Sequence, residues 1–260
     1  MQIMSYNIRY ASGGFRKSRH WVNRLPIMAE TIQTPSIAGF QEVLAEQLAD
    51  LKKTMGGYAY VGVGRDDGEA SGEHVPIFYR KDQWQNADHG HFWLSDTPDK
   101  PGSKSWGNSI PRMCTWIRLV DKNGKGIYIY NAHLDHMSWK SRRMSASFIL
   151  EKINTREHKG EPVVLLGDLN CKPGSEPLKI LLADGKVLLD SFTINEHDIA
   201  NSSTFNSWKA GKKGSRRIDF ILTSPDLKVQ SAEILAIQKD GTVASDHNAL
   251  MATLEWSEEP

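Results

Sequence analysis

Short apolar runs that read as β-strands stop repeatedly on a residue able to hold a cation or move a proton. The run Gln2 to Arg9 carries Asn7, Ile37-Ala38-Gly39-Phe40 leads into Gln41-Glu42, and Ile127 to His133 carries Asn131 and His133 and is followed by Asp135. Val163-Val164-Leu165-Leu166 is followed by Asp168 and Asn170, Asp219 lies in Arg217-Ile218-Asp219-Phe220-Ile221-Leu222, and Asp246-His247 precede Ala249 to Trp256. Other strand-like segments are Tyr58 to Gly62, Pro76 to Arg80 and Met113 to Val120. Helical periodicity marks Asn23 to Gln33, Ala45 to Met55, Ser138 to His158 and Glu176 to Ala183; the third carries Met144, Phe148, Ile149 and Ile153 on one side. This interspersion predicts an α/β fold, helices outside and strands inside. Strand ends in such folds converge on one rim, the usual position of a ligand crevice.

The 260 residues hold no repeat, low-complexity block or Pro/Gly/Ser-rich linker, so one domain spanning 1–260 is expected. Met113 to Val120 and Ile127 to Leu134 flank a segment whose Asn123-Gly124 predicts a hairpin turn, which adds an antiparallel component. With 32 Lys plus Arg against 31 Asp plus Glu, the net charge of +1 draws the molecule to no polyanion as a whole, and any such partner must meet a local patch. Cys114 and Cys171 are too few for a disulfide framework, which favours a reducing compartment. No apolar run approaches the roughly 18 residues that span a bilayer. The start reads directly as a strand without a basic or apolar leader, so a cytoplasmic location without stable membrane association is expected. Ser95 to Pro111, rich in Pro, Gly, Ser and Asp, is either a lid or an ordered surface loop.

The residues at the strand ends are carboxylates, amides and imidazoles, with no Cys-rich or multi-His cluster. That set favours hard oxygen ligation by Mg²⁺, with Mn²⁺ as the alternative, over Zn²⁺. Hard cations in turn point to phosphate. Each piece also has a plainer reading. Glu42 could cap the following helix, Asp168 and Asn170 could form an Asx-turn, and the alternation that aligns Asn131, His133 and Asp135 also suits a solvated strand face. Adjacent residues of a strand point oppositely, so the carboxylate that orients His247 should come from elsewhere, with Asp219 the leading candidate, leaving Asp246 free for a metal or a supporting hydrogen bond. Arg112, between the loop and a strand, is a candidate phosphate clamp, or else an ordinary exposed arginine.

Taken together and in order, Ser5-Tyr6-Asn7-Ile8-Arg9, Gln41-Glu42-Val43, Asn131-Ala132-His133-Leu134-Asp135, Gly167-Asp168-Leu169-Asn170, Arg217-Ile218-Asp219-Phe220 and Ser245-Asp246-His247 resemble the metal-dependent endonuclease/exonuclease/phosphatase superfamily (DNase I-like). The likeness spans nearly the whole chain. Val61 to Gly68, Pro76 to Arg80 and Phe92-Trp93-Leu94-Ser95 are similar to segments of a bacterial, largely uncharacterised subgroup. The resemblance implies a four-layer α/β sandwich, two stacked mixed β-sheets flanked by helices. It implies Glu42 as the main Mg²⁺ ligand, with Asn7 beside it and Asp246 contributing. It implies Asp168 as the group that orients or deprotonates water, Asn170 as its helper, His133 and His247 as contacts to the scissile phosphate, and Asp219 as support for His247. Asn131, Arg112 and Asp135 complete the expected substrate-binding set.

The activity expected from this set is metal-dependent hydrolysis of a P–O bond by activated water, first of a phosphodiester such as short or single-stranded nucleic acid. A phosphomonoesterase on a small metabolite, or a lipid phosphodiesterase, is the alternative, and an inactive scaffold of the same fold is the non-enzyme alternative. Lys209, Lys212, Lys213, Arg216 and Arg217 near Trp208 could receive a phosphate backbone or form a solvated loop. The sequence carries no P-loop and no Gly-x-Ser-x-Gly elbow, which disfavours nucleotide-triphosphate and acyl-transfer chemistry.

Overall fold

The computed structural model describes residues 1–194, 203–211 and 216–257. In chain order the elements are β1 (Gln2–Asn7), α1 (Trp21–Met28), β2 (Ile37–Gln41), α2 (Ala45–Thr54), β3 (Tyr58–Val61), β4 (Ile77–Arg80), β5 (Trp84–Trp93), β6 (Met113–Asp121) and β7 (Gly126–His133). They continue with α3 (Trp139–Thr155), β8 (Val163–Asp168), α4 (Glu176–Leu182), β9 (Leu189–Asp190), β10 (Asp219–Thr223), β11 (Leu227–Leu235), the small pair β12 (Gln238–Lys239) and β13 (Thr242–Val243), and β14 (Ala249–Trp256).

Alternation along the strands builds the layers. Ile3, Ile37, Ile129, Val164, Leu166 and Ile221 point inward and form the core between the sheets. Their neighbours point outward: Met4, Ala38 and Phe40 pack with Met28 of α1 and Leu48 and Leu51 of α2. On the far side Val163, Leu165 and Phe220 pack with Ile149 and Ile153 of α3 and Leu178 and Leu181 of α4. Strands buried on both faces read as unbroken apolar runs, which is why these were legible in the sequence. The result is the four-layer α/β sandwich, with sheet orders β11-β14-β1-β2-β4-β3 and β5-β6-β7-β8-β10-β9.

Both sheets are mixed. β1 runs parallel to β2 and β7 parallel to β8, each pair joined across a helix, while the other pairings of the two large sheets are antiparallel. The hairpin of β6 and β7 pairs Ile117 with Ile129, and Gly124 takes φ 80 in its turn while Asp121 accepts from the Asn123 and Lys125 amides. Gly39 is required by close approach: a Cβ there would stand 2.0 Å from Leu166 Cδ1 and 3.0 Å from Asn131 Cγ. Ser138 caps α3 by accepting from the Ser141 amide.

Asn131 belongs to this interior rather than to a substrate surface, contrary to the sequence expectation. It is fully buried between the sheets, its Nδ2 donating to the Phe40 and Pro76 carbonyls at 2.9 Å each and its Oδ1 accepting from Gln41 Nε2 at 2.8 Å. An amide so placed satisfies polar groups where water cannot enter.

Candidate active site

The topology gathers the polar strand ends. Parallel partners finish together, so Asn7 pairs with Gln41 and His133 pairs with Asp168 at the carboxyl ends of their strands. Antiparallel neighbours begin where those end: Asp219, first residue of β10, lies opposite Asp168, and Asp246-His247 enter β14 beside the end of β1. Side chains scattered along the whole chain therefore meet at one rim of the sandwich.

Beyond the rim the backbone bends sharply. Arg9 (φ 58), Glu42 (φ 60) and Asn170 (φ 47) are left-handed, a conformation that costs a non-glycine residue roughly 1–2 kcal/mol. Surrounding hydrogen bonds hold it and aim the side chains. Asn7 Nδ2 donates to Glu42 Oε1 (3.1 Å) and Asp168 Oδ2 (3.0 Å), so one amide ties the two sheets together, and Asn7 Oδ1 accepts from the Arg9 amide. Glu42 Oε2 accepts from Arg9 Nη1 (3.3 Å) and the Tyr10 amide (3.2 Å). Arg9 Nε also lies 3.8 Å from Asp246 Oδ2.

On the second sheet, His247 Nδ1 sits 2.9 Å from Asp219 Oδ2, and His247 Nε2 is 3.8 Å from Asp168 Oδ2. Burial alone would pull His247 down, but Asp219, with Asp168 and Asp246 behind it, raises it to about 10, so the ring is an imidazolium at neutral pH. Burial, reinforced by Asp219, pushes Asp168 up to about 7. Burial, with Arg112 and Arg65 nearby, drives His133 well below its usual value and keeps it neutral. His133 stands 3.6 Å from Asp168 Oδ2 through Nε2 and 3.9 Å from Glu73 Oε2 through Nδ1.

Arg9, Glu42, Glu73, His133, Asp168, Asp246 and His247 line a cavity of about 520 Å³, with Asn7 and Asp219 buried behind them. Its second pole is cationic. Arg112 is 4% exposed; its Nη2 donates to His136 Nδ1 at 3.0 Å, while Nε and Nη1 have no hydrogen-bond partner. Arg65 reaches the same wall, held by Glu73 Oε2 at 2.6 Å, while its Nε, 3.9 Å from Asp66 Oδ1, makes no hydrogen bond. Arg65, Glu73 and Arg9 were not singled out as site residues from sequence. Arg65 and Glu73 come from the segment between β3 and β4, which has neither helical nor strand periodicity to flag it.

Other expected residues fall differently. Asp135 is fully buried and lies behind the cavity: Oδ1 accepts from the Met137 and Ser138 amides and Oδ2 is 3.8 Å from Arg112 Nε, so it fixes Arg112 instead of meeting a substrate. Asn170 lines the cavity but forms the Asx-turn as well, its amide donating to Asp168 Oδ1 and its Nδ2 to the Leu134 carbonyl. Arg217 is buried in a two-pronged pair with Asp190 and leaves the basic run, whereas Arg216 lines the cavity above the Phe205 ring at 4.3 Å. Lys212 and Lys213 lie outside the described residues. The 95–111 loop is ordered by its own bonds, Ser95 to Ser103 and Trp106 Nε1 to Asp96 among them, and reaches the cavity through Ile110.

The donor set fits a hard divalent cation. Glu42 and Asp246 face one another across the Arg9 guanidinium, and burial raises Asp246 against the pull of His247 and Arg9, with Glu42 adding to the rise. Ligand atoms of Asp168, Asp219 and His247 also lie within 4.8 Å of one another. The Asp219–His247 hydrogen bond already engages two of those three groups with each other.

Residues 4–247 match the family described as Endonuclease/Exonuclease/phosphatase family. Among solved structures, a mannosyl-6-phosphatase of Bacteroides thetaiotaomicron is similar at 34% identity and TM-score 0.90, covering 98% of this chain and 100% of that one. An endonuclease/exonuclease/phosphatase from Bacteroides vulgatus is similar at 32% identity and TM-score 0.87, covering 98% of each chain. TDP2 of D. rerio, solved with a single-strand DNA product, shares the fold at 16% identity and TM-score 0.76, covering 98% of each chain. No curated protein matches the sequence.

Proposed function

Since the chain belongs to the endonuclease/exonuclease/phosphatase family, we propose that it is a divalent-metal-dependent phosphoesterase whose preferred substrate is a small phosphomonoester. The phosphoesterase chemistry rests on the family. The preference rests on one observation, the buried Arg112 guanidinium at the wall of a polar cavity, its Nε turned to Asp135 and its Nη1 without a hydrogen-bond partner. A buried guanidinium with a nitrogen to spare calls for an anion, and a terminal phosphate, with its second negative charge, satisfies it and Arg65 better than a diester does. The name of the mannosyl-6-phosphatase relative supports a phosphorylated sugar as the first compound to try.

In this reading Glu42 and Asp246 would hold the cation, and Asn7 orients Glu42 through the bond from its Nδ2 to Oε1. The ion, Mg²⁺ or Mn²⁺, would neutralise nonbridging oxygens and lower the cost of attack. Asp168, held by Asn7 and the Asn170 amide, accepts the proton of the attacking water. Its raised affinity for protons suits a general base near neutrality. The His247 imidazolium, fixed by Asp219, donates to a phosphoryl oxygen. Neutral His133 donates to a second oxygen, and Arg112 and Arg65 take the remaining charge.

A diesterase acting on single-stranded nucleic acid is the second reading. It is favoured by the Arg216–Phe205 stack at the cavity and by Arg19 lying 4.9 Å over Trp208. Turnover of p-nitrophenyl phosphate, a hexose 6-phosphate, bis-p-nitrophenyl phosphate and a short oligonucleotide, each with Mg²⁺, Mn²⁺ or EDTA, separates the two. Monoesters should be cleaved with the higher kcat/KM and only with metal. Preference for the diester or oligonucleotide overturns the first reading in favour of the second, and metal-independent turnover overturns both.

A further inference from the structure

Arg24 of α1 is fully buried, on a helix face otherwise given to the apolar core. A methionine or leucine would fill that position without the cost of burying a charge. Among the described residues no carboxylate pairs with it directly. Instead its five N–H donors, the full set a guanidinium has, each meet a main-chain carbonyl. Nε donates to Arg19 (2.8 Å), Nη1 to Ile8 and to Ala244 (3.2 Å), and Nη2 to Arg9 and Tyr10 (2.9 Å each). The Trp208 ring lies 5.6 Å over it.

The carbonyls so served are not arbitrary. Ile8, Arg9 and Tyr10 form the exit from β1, bent at the left-handed Arg9, which presents the Arg9 guanidinium and the Tyr10 amide to Glu42. Ala244 opens the segment that delivers Asp246 and His247. Neither segment has a sheet ladder for these carbonyls, and carbonyls shielded from water need partners; that of Arg9 also accepts from Gln47 Nε2 at 2.9 Å. A second tie runs between the same two segments, from Ser245 Oγ to the Asn7 carbonyl at 2.7 Å.

We infer that Arg24 is a positioning residue that braces the Ile8–Tyr10 exit against the Ala244–Asp246 segment and thereby sets the span between Glu42 and Asp246 for a divalent cation. The inference rests on the cation seat assigned above. Arg24 touches neither cation nor substrate; it acts through the two backbones. Lysine keeps its charge but offers three donors in no planar fork, so it cannot hold five carbonyls from three directions.

The test is Mn²⁺ affinity by calorimetry, with folding followed by circular dichroism. Arg24→Lys should weaken Mn²⁺ binding about 10–100-fold, the range seen when supports of metal ligands are removed, in protein that is still folded. Met28→Ala, a cavity in the same helix remote from the site, should lower Tm and leave Mn²⁺ affinity unchanged. Wild-type affinity in Arg24→Lys, or equal losses in both variants, overturns the brace. Should Arg24→Lys not fold, hydrogen exchange of the wild type decides. Mn²⁺ should protect amides of residues 8–10, 19–24 and 244–247 together, and protection that omits 19–24 overturns the inference. Mn²⁺ uptake that Glu42→Gln weakens and Arg24→Lys leaves alone removes the brace only, whereas a wild type that takes up no Mn²⁺ removes the functional reading with it.

Discussion

Asp168 takes an amide hydrogen bond from Asn7 at 3.0 Å and faces His133 and His247, with burial holding it close to neutrality in charge preference. Asparagine at this position keeps the shape and loses the basicity. Asp168→Asn should lower kcat by about 10²–10⁴-fold with an unchanged circular dichroism spectrum; near-normal turnover would remove Asp168 as the base. Arg112→Lys keeps a charge but not the fork. It should raise KM for the monoester about tenfold while changing KM for a neutral-leaving diester less, as steady-state kinetics on the two substrate types will show. The sequence exposed Asn7, Glu42, His133, Asp168, Asp219, Asp246 and His247 because each interrupts or ends an apolar run. Asn131 obeyed the same pattern and yet serves the core, since alternation says which face a residue takes but not what lies opposite. Arg24 was illegible for a related reason: a lone arginine in an amphipathic helix reads as solvent-facing.

At the scale of elements, the strands of the double-sided core were readable and the edges were not. β5 and β11 close one edge of each sheet, and their central residues are mostly exposed and polar, so Gln85 to His91 offers no apolar alternation to read. α1 is shorter than its periodicity implied, stopping at Met28, with a separate turn of 3₁₀ helix at Thr31–Gln33. Asn131 of β7 ties its strand to β2 and to the segment before β4. Asn131→Ala should destabilise the protein by about 1–3 kcal/mol, the cost of leaving buried polar groups unpaired, measured by urea unfolding. A loss below the error of that measurement would mean that water fills the gap.

The molecule as a whole carries the electrostatic consequence of burying an acidic cluster with one imidazolium. His247 binds its proton more tightly when folded, about 10 against an ordinary 6.5. Its contribution to stability is therefore complete below pH 6.5 and is lost as pH rises through 10. In EDTA, the unfolding midpoint of the wild type should fall across that window more steeply than that of His247→Gln; parallel curves would show that the imidazolium is not held. The near-zero net charge seen in the sequence hides this local arrangement entirely, because pairs that cancel in a sum are here sorted into an acidic and a basic pole.

The Asn7 amide, bonded to Glu42 on one sheet and Asp168 on the other, acts as a feeler gauge for sandwich thickness. Whatever swells the interlayer filling is transmitted to the rim as a gap between the Asp168 wall and the Glu42 wall. Widening Ala252, fully buried between the layers, to leucine should thus slow turnover well before it unfolds the chain. Catalytic tolerance in such an architecture is inherited from its upholstery, and drift in distant packing is felt first as a loss of rate.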